Sequence, residues 1–300
     1  AGSKIATEHP EFVLGGKGGG LFNLSNSTAR AWMTDFLSKK ITAWGIDVLR
    51  MDFNMNPLGY WTKNDAADRK GMTQAKYIEG LYAMWDELRA QHPGLLLDSC
   101  SSGGRRIDLE TMSRAVTLSR SDVACTAGHQ TVEQNLTVGL SQFIPLFSTF
   151  TWSPDAYTTR SSATPGLITQ FDYLDSTLDV AKATAAVAEI KENQKYWYGD
   201  FYPLTPAGID ESAWAAYQLN RSDLNAGIVM AFRRPKSSDA TMTFSLGGID
   251  ASKEYRVTFI DESRNAVKRR MFGSELRQLQ LQLPKAKTSV LVRYALVPEP

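Results

Sequence analysis

Three clusters of polar residues and glycines each follow a short apolar segment of the sequence. They occupy residues 50–54, 98–106 and 120–122. Cleavage of a glycosidic bond with retention needs two carboxyl groups ~5–5.5 Å apart, one ionised to attack the anomeric carbon and one protonated to release the leaving oxygen. Asp52 of the first cluster and Asp122 of the third could supply these groups. We expect them to face each other across the mouth of a barrel.

A purely structural role is the alternative for either aspartate. An aspartate at the end of a strand often caps the following helix or pairs with a neighbouring cation. Arg50 and Arg120 each stand two residues before an aspartate, Asp52 and Asp122, so each aspartate taken alone fits that role too. The glycine-rich cluster between them favours a catalytic pair.

The segments around these clusters alternate between helical and strand patterns. Apolar residues recur at helical spacing from Asn26 to Trp44, and Gly45 stands where such a helix ends. The next segment, 46–53, predicts a buried strand with Asp52 at its carboxyl end. Further helices are predicted to end near 92–94 and to cover 107–114, 134–141 and 174–197, with strands at 95–100, 115–118 and 143–147. Such alternation indicates a parallel α/β sheet or barrel.

Beyond Gly199 the pattern changes to short alternating segments. Leu279, Leu281 and Leu283 alternate with glutamines, the clearest two-residue period in the chain. Strands are predicted at 213–219, 227–232, 241–246, 255–260, 276–283 and 289–296. We therefore predict two domains, an α/β portion over 1–199 and an antiparallel β-sandwich over 200–300.

The three polar clusters together resemble the motifs of glycoside hydrolase family 36, the bacterial α-galactosidases and α-N-acetylgalactosaminidases of the melibiase clan. The family's nucleophile lies in a Lys/Arg-x-Asp-x-Asn strand end, which residues 50–54 match. Its Cys-x-Ser-Gly-Gly-x-Arg-x-Asp motif is matched by residues 100–108, and residues 121–122 match the end of its Trp-x-Ser-Asp motif. The order and the spacing of all three agree with the family.

The resemblance implies a (β/α)8 TIM-type barrel that carries a retaining glycosidase for terminal α-linked galactose. Asp52 would be the nucleophile and Asp122 the general acid/base of a double displacement that uses no metal or cofactor. We attribute the ionised state of Asp52 to nearby cations such as Arg50. Contacts with the sugar are implied for Arg50, Asn54, Cys100, Gly103 and Arg106. Trp61, which follows the nucleophile segment, is a further candidate for stacking on a sugar ring, and a small buried residue without a chemical role is the alternative for Cys100.

Three positions depart from the family pattern. Arg50 stands where many members have Lys, so its contact with ring hydroxyls would be a planar fork rather than a point charge. Ser119 replaces the usual Trp and removes an apolar wall, and Arg105 replaces a frequent Gly beside the sugar's C2 substituent. Within the family, an α-N-acetylgalactosaminidase or a galactosyl transferase is the alternative. Outside it, the alternative is a non-catalytic carbohydrate-binding or assembly fragment.

Charge and apolar content argue against nucleic acid and membrane as partners. With 33 Lys and Arg against 32 Asp and Glu, no net field favours nucleic acid or an anionic membrane. No apolar run approaches the ~20 residues of a membrane helix.

A complete barrel of this type runs to about 250 residues, yet the first clear strand here already bears the nucleophile. We therefore expect the barrel to lack its first strands, and an upstream segment or a partner chain to complete it.

Overall fold

The computed structural model of the chain describes residues 3–115, 117–144 and 146–298. Its contacts divide the chain into two compact units, Ala1–Ser119 and Arg120–Pro300. Asp52 belongs to the first unit and Asp122 to the second. The predicted domain boundary at residue 199 lies inside the second unit and stays a prediction.

Helices and short strands alternate along the first unit. Its helices are α1 (Lys4–Glu8), α2 (Ser27–Trp44), α3 (Leu58–Asn64), α4 (Met72–Gln91) and α5 (Leu109–Met112). Its strands are β1 (Val13–Leu14), β2 (Leu21–Phe22), β3 (Val48–Met51), β4 (Leu96–Ser99) and β5 (Thr117–Ser119). β1 and β2 form an antiparallel pair, whereas β3, β4 and β5 are parallel neighbours in that order. The alternation predicted for this part is confirmed.

Capping groups fix the two ends of α2 where the sequence predicts them. The Asn26 side chain accepts hydrogen bonds from the N–H groups of Thr28 and Ala29, which have no partner inside the helix. Gly45 adopts the left-handed conformation at φ 62°, the usual end of a helix where a Cβ would be disfavoured. The chain then enters β3, and Asp52 follows the last residue of that strand.

β3 is more exposed than its sequence predicts. The segment 46–53 predicts a buried strand, yet Val48 is 53% exposed. The reason is the position of the strand: among the described residues of this unit, β3 pairs with β4 and with no strand on its other side. A run of apolar residues shows which side chains a strand carries. It does not show whether another strand or a helix covers them.

The second unit begins with helices and parallel strands and continues with antiparallel strands. Its helices are α6 (Gln130–Leu140), α7 (Ala156–Ser161), α8 (Val180–Asn193) and α9 (Gly273–Leu276). Its first strands, β6 (Phe147–Thr151) and β7 (Gly166–Thr169), are parallel. The antiparallel strands are β8 (Asp200–Pro203), β9 (Trp214–Arg221), β10 (Ala226–Arg233), β11 (Thr241–Ser245), β12 (Glu254–Ile260), β13 (Ala266–Phe272), β14 (Gln278–Gln282) and β15 (Thr288–Leu296).

The strand predicted at 143–147 is wrong for residues 143, 144 and 146, and residue 145 lies outside the described residues. β6 begins at Phe147, where the predicted strand ends. Phe143 instead belongs to the turn after α6, because its N–H donates to the carbonyl oxygen of Leu140, and its ring is 76% exposed. β6 buries several hydroxyl side chains, a polar pattern that apolar periodicity does not detect: Ser148, Thr149 and Thr151.

The helix predicted at 174–197 is shorter in the structure. α8 begins at Val180, and the Asp179 carboxylate caps it by accepting a backbone N–H of its first turn. Upstream, the carboxylates of Asp172 and Asp175 accept backbone N–H groups two residues further on. Such local side-chain hydrogen bonds compete with a helix, so the chain forms turns here instead.

The antiparallel strands form two sheets around one core. The larger sheet has six strands in the order β13-β12-β15-β10-β9-β8, and β11 pairs with β14. Leu279 and Leu281 of β14 are buried in a core with Val257 and Val292 of the larger sheet, and the glutamines between the leucines are exposed. β13 is not predicted from the sequence, because its central residues are charged and show no apolar alternation.

The other face of the six-stranded sheet packs on the helical part of the same unit. Tyr157 of α7 contacts Phe232 of β10, and Trp197, which follows α8, contacts Tyr217 of β9. Helices and antiparallel strands of this unit therefore share a core. In the part of the chain that the structure describes, no helix combines the length and the apolar character needed to cross a membrane.

Candidate active site

Asp52 is an exposed carboxylate surrounded by hydrogen-bond donors. Its Oδ1 accepts the N–H of Phe53 at 2.7 Å and the N–H of Ser102 at 3.4 Å. The side chains of Asn54 and Cys100 are further donors to it. Donors from the loops that follow β3 and β4 thus converge on one carboxylate and restrict its orientation, as positioned reactive groups require.

These donors favour the ionised form of Asp52. Burial by itself would raise the pKa of the Asp52 carboxyl. The hydrogen bonds from Asn54, from Cys100 and from the backbone outweigh that effect and lower the pKa below its ordinary value. A carboxylate that stays ionised in mildly acidic solution is able to attack an electrophilic carbon.

A turn with unusual backbone angles brings the glycine-rich cluster to Asp52. Ser102 has a positive φ of 46°, and the buried Gly103 follows with a φ of 80°. L-residues with a Cβ rarely adopt this region. The Ser102 hydroxyl lies 3.3 Å from the carbonyl oxygen of Phe53 and 3.2 Å from Oδ1 of Asn54, and can donate to either. Backbone strain of this kind is concentrated at functional sites.

Arg50 pairs with Asp98. The two residues are neighbours on β3 and β4, and Nη1 of Arg50 donates to Oδ1 of Asp98 at 2.7 Å. Burial would lower the pKa of Arg50, but its contacts with Asp98 outweigh burial and raise the pKa. From the sequence, cations such as Arg50 are expected to keep Asp52 ionised. In the structure hydrogen bonds lower the pKa of Asp52, and Arg50 pairs with Asp98 instead.

The buried Cys100 and the partly buried Arg106 are neighbours of the Asp52 carboxylate. Cys100 is 2% exposed, and its carbonyl oxygen accepts Nη1 of Arg106 at 3.4 Å. The Arg106 guanidinium lies over the rings of Phe53 and Trp85, at 5.4 Å and 5.7 Å from their centroids. Stacking on two aromatic faces holds the guanidinium in place. Arg106 therefore presents a fixed positive charge in the electrostatic neighbourhood of Asp52.

Trp61 is buried in the first unit. Its ring packs against Tyr77 with the centroids 5.4 Å apart, and the residue is 8% exposed. Its Nε1 has no hydrogen-bond partner among the described residues. Stacking on a sugar ring needs an indole face that the sugar can reach. The stacking role predicted for Trp61 stays a prediction.

Asp122 opens a 3₁₀ turn in the second unit. The turn covers Asp122–Cys125, and the hydroxyl oxygen of its cap, Ser121, accepts the N–H of Val123 at 3.1 Å. The Asp122 side chain is exposed, and Sγ of Cys125 donates weakly to its Oδ1 at 3.9 Å. An accessible carboxyl on a capped turn is suited to exchange a proton with a bound molecule.

Arg120 anchors this turn to the interior of the second unit. Its guanidinium donates to Oγ1 of Thr137 at 2.7 Å and to Oε2 of Glu133 at 2.5 Å, and it lies over the ring of Phe147. The arginines that precede Asp52 and Asp122 thus both have other carboxylate partners. Neither Asp52 nor Asp122 forms the ion pair with the arginine two residues before it that a purely structural role would suggest.

Two further carboxylates, which the sequence does not mark, bind the arginines that precede the candidate aspartates: Asp98 binds Arg50 in the first unit, and Glu133 binds Arg120 in the second. Asp98 faces Arg50 because of a parallel register that the sequence does not specify. Glu133 is buried on α6 beside polar neighbours, Gln134 and Thr137, so no apolar period marks its face. A buried charge needs a partner, and this rule would have indicated Glu133 once Arg120 was known to be buried.

Known proteins match the chain over most of its length. The sequence model described as Melibiase matches residues 1–196. Alpha-galactosidase 1 of Pediococcus pentosaceus is 23% identical over 300 residues, which cover 92% of this chain and 39% of that protein. Alpha-galactosidase AgaA of Geobacillus stearothermophilus is 23% identical over 282 residues, which cover 85% of this chain and 37% of that protein. The chain therefore spans about two fifths of the length of these relatives.

Solved structures share the fold. The crystal structure of the α-galactosidase from Lactobacillus brevis matches with a TM-score of 0.80 at 18% identity, over 99% of this chain and 43% of that one. A family 36 α-galactosidase AgaA variant from Geobacillus stearothermophilus, crystallised with raffinose, matches with a TM-score of 0.78 at 19% identity, over 98% of this chain and 43% of that one. The predicted class, part of a TIM-type barrel followed by an antiparallel β-sandwich, is confirmed.

The family match includes all three polar clusters. It covers more than half of the chain and contains the strand end with Asp52, the glycine-rich loop and the turn with Asp122. The assignment drawn from these clusters, glycoside hydrolase family 36 of the melibiase clan, is confirmed. On this evidence the chain belongs to the Melibiase family.

Proposed function

We propose that this protein is a retaining glycoside hydrolase that removes terminal α-linked galactose, with Asp52 as nucleophile and Asp122 as general acid/base. The observation that carries the proposal is the group of donors that keeps the exposed Asp52 carboxylate ionised at the end of β3. The names of the relatives, which are alpha-galactosidases, support galactose as the sugar.

In the first step the Asp52 carboxylate attacks C1 of the sugar from the β face. A β-galactosyl ester forms, and the bond from C1 to the leaving oxygen breaks with its electron pair on that oxygen. The leaving oxygen takes the proton of Asp122. The donors from Phe53 and Ser102 orient the attacking carboxylate, and Arg106 supplies a fixed charge near it.

In the second step water replaces the protein at C1. The Asp122 carboxylate takes a proton from the water, whose oxygen attacks C1, and the ester bond to Asp52 breaks to regenerate the nucleophile. The cap at Ser121 and the anchored Arg120 hold the turn that carries Asp122. This support leaves the Asp122 side chain exposed to incoming water.

The choice of sugar is tested with matched substrates. We expect nitrophenyl α-galactoside to be hydrolysed with a kcat/KM about tenfold or more above that of the N-acetylgalactosaminide, because a larger C2 substituent must fit beside Arg105 and Cys100. Reversal of that preference would assign the protein as an α-N-acetylgalactosaminidase. Transfer to an added alcohol in excess of hydrolysis would assign it as a transferase.

The rival from another class, a carbohydrate-binding fragment, gives a different result. It would bind galactose without releasing nitrophenol, and substitution of Asp52 would leave that affinity intact. Relatives of this family have been crystallised with raffinose and with stachyose, so these oligosaccharides are the natural substrates to test first. Release of galactose from either sugar, lost in Asp52→Gly, supports the hydrolase.

We also propose that a further strand, from an upstream segment or from a partner chain, covers the open side of β3. Among the described residues β3 pairs only with β4, so its other edge has no strand partner, and an uncovered strand edge attracts other chains. The 300-residue chain as an isolated monomer should then hydrolyse nitrophenyl α-galactoside poorly. Light scattering with a parallel activity assay checks this, and full activity from the monomer would contradict it.

A further inference from the structure

The six-stranded sheet of the second unit has one face with two distinct parts. Ile260 of β12 and Leu291 of β15 lie on the face that packs against the helical part of the unit. Because side chains alternate along a strand, Arg256 and Arg293 belong to the same face, further along β12 and β15. The face is therefore apolar around Ile260 and Leu291 and basic further along the two strands, where Arg293 donates to Asn193 at the end of α8.

The register of three adjacent strands concentrates cations on the basic part. Arg256 lies directly opposite Arg270 of β13, and Thr258 stands between Lys268 on one side and Arg293 on the other. Residues directly opposite on antiparallel strands are neighbours, and like charges there destabilise the sheet. These four cations, Arg269 and Tyr196 are among the residues that line a cleft of about 460 Å³, which we call the basic cleft.

Carboxylates neutralise only part of this charge. Two ion pairs form at the cleft, Arg270 with Glu254 at 3.0 Å and Arg293 with Glu192 at 2.5 Å. Of the five cations that line the cleft, Arg256, Lys268 and Arg269 therefore have no carboxylate partner within residues 3–115, 117–144 and 146–298, in a chain whose formal net charge is only +1.

Protection of a sheet edge does not account for the arrangement. Charged side chains on an edge strand prevent association between sheets, and this would explain Lys268 and Arg270, since β13 is the edge strand of its sheet. Arg256 lies on the second strand and Arg293 on the third. Glu192 and Asn193 of α8 hold Arg293 in its place. The inward position of Arg256 needs another reason, and a bound anion would reduce the repulsion between Arg256 and Arg270.

We propose that the basic cleft binds a phosphate or sulfate group, either as a small phosphorylated molecule or as part of an anionic polysaccharide. Guanidinium groups match the geometry of such oxyanions with paired N–H donors, and Lys268 adds a point charge. The volume of the cleft exceeds that of a single oxyanion and lies in the range of small-molecule sites. This site is separate in sequence from the clusters that carry Asp52 and Asp122.

The test uses pyrophosphate as the probe and calorimetric titration of the full chain at low ionic strength. We expect binding that weakens as salt is added, and that weakens about tenfold or more in the double variant Arg256→Gln, Lys268→Gln, because charge-assisted hydrogen bonds are lost. Arg277→Gln, an exposed cation of the same domain outside the cleft, should bind like the wild type. Absence of wild-type binding, or equal binding by the double variant, overturns the proposal.

A second measurement uses the unsubstituted protein, so its outcome does not depend on the folding of a variant. Pyrophosphate should protect Lys268 from acetylation by an amine-reactive reagent, as read by peptide mass spectrometry, while the exposed Lys285 reacts at an unchanged rate. Equal reactivity of Lys268 with and without pyrophosphate overturns the proposal.

Two further probes identify the source of the anion. Galactose 6-phosphate that binds more tightly than pyrophosphate, with neutral galactose inactive at this site, assigns a small phosphorylated molecule. Retention on dextran sulfate but not on neutral dextran, lost in the double variant, assigns an anionic polysaccharide. Either result supports the basic cleft, and retention that the double variant keeps counts against it.

Discussion

The guanidinium of Arg120 donates to the carboxylate of Glu133 at 2.5 Å, and both side chains are almost wholly removed from solvent. Thr149 donates to the same carboxylate oxygen at 2.6 Å. The pair joins the residue two positions before Asp122 to α6 and β6. It therefore supports the turn of the proposed acid/base from the interior of the second unit.

Removal of one member of this pair should be costly. In Glu133→Gln the charge of Arg120 remains buried without a counter-charge, which typically lowers the free energy of unfolding by about 3–5 kcal/mol. The matched control is Glu211→Gln, which breaks the exposed pair with Lys236 and should cost less than about 1 kcal/mol. Urea denaturation measures both values. Equal losses in the two variants would mean that the buried pair has no special structural role.

The two proposed catalytic roles separate by azide rescue. Asp52→Gly should abolish hydrolysis of nitrophenyl α-galactoside, and added azide should restore turnover as the β-galactosyl azide, since a small anion replaces the missing nucleophile. Asp122→Ala should keep activity on substrates with good leaving groups, because these need little protonation, and azide should give the α-azide. Anomeric configuration is read by nuclear magnetic resonance. Products of the opposite configuration would exchange the two roles.

The hydrogen bonds around Asp52 predict a direction for its pH dependence. The nucleophile works ionised, and its pKa is lowered, so the acid limb of kcat/KM lies below the ordinary range of an aspartate. Asn54→Ala removes one donor. The pKa of Asp52 then rises towards its ordinary value, and the acid limb moves to higher pH.

The control for this experiment is Asn56→Ala, which changes a nearby amide whose side chain accepts the N–H of Leu58. Its acid limb should stay where it is in the wild type. The profiles are recorded with nitrophenyl α-galactoside in the assembly in which the protein is active. A limb that moves equally in both variants, or to lower pH in Asn54→Ala, would remove the role given to the Asn54 donor.

The left-handed backbone of Ser102 predicts a difference between two substitutions. Ser102→Gly and Ser102→Val both lose the hydroxyl, but only valine places a branched Cβ at φ 46°. Valine should therefore lower the free energy of unfolding by about 1–2 kcal/mol more than glycine. Denaturant titration of the two variants measures this difference. Equal stability would show that the turn relaxes at no cost.

Local signals in the sequence were sufficient for the elements that carry the candidate site. Asn26 and Gly45 cap α2 through contacts within four residues, so the end of that helix, and with it the strand before Asp52, follows from neighbouring residue types. The alternation of leucine and glutamine in β14 likewise records which face is buried. Each of the three polar clusters is also a short sequence pattern, and together they indicated the family.

Only the tertiary structure decided which charged groups pair. Arg50 has Asp52 two residues away and Asp98 forty-eight residues away, yet it binds Asp98, because the parallel register of β3 and β4 makes them neighbours. Strand register and helix packing bring together residues distant in the chain, and no local pattern encodes that contact. For the same reason, two further features follow only from the folded chain. One is the exposed position of β3, and the other is the alignment of cations across β12, β13 and β15.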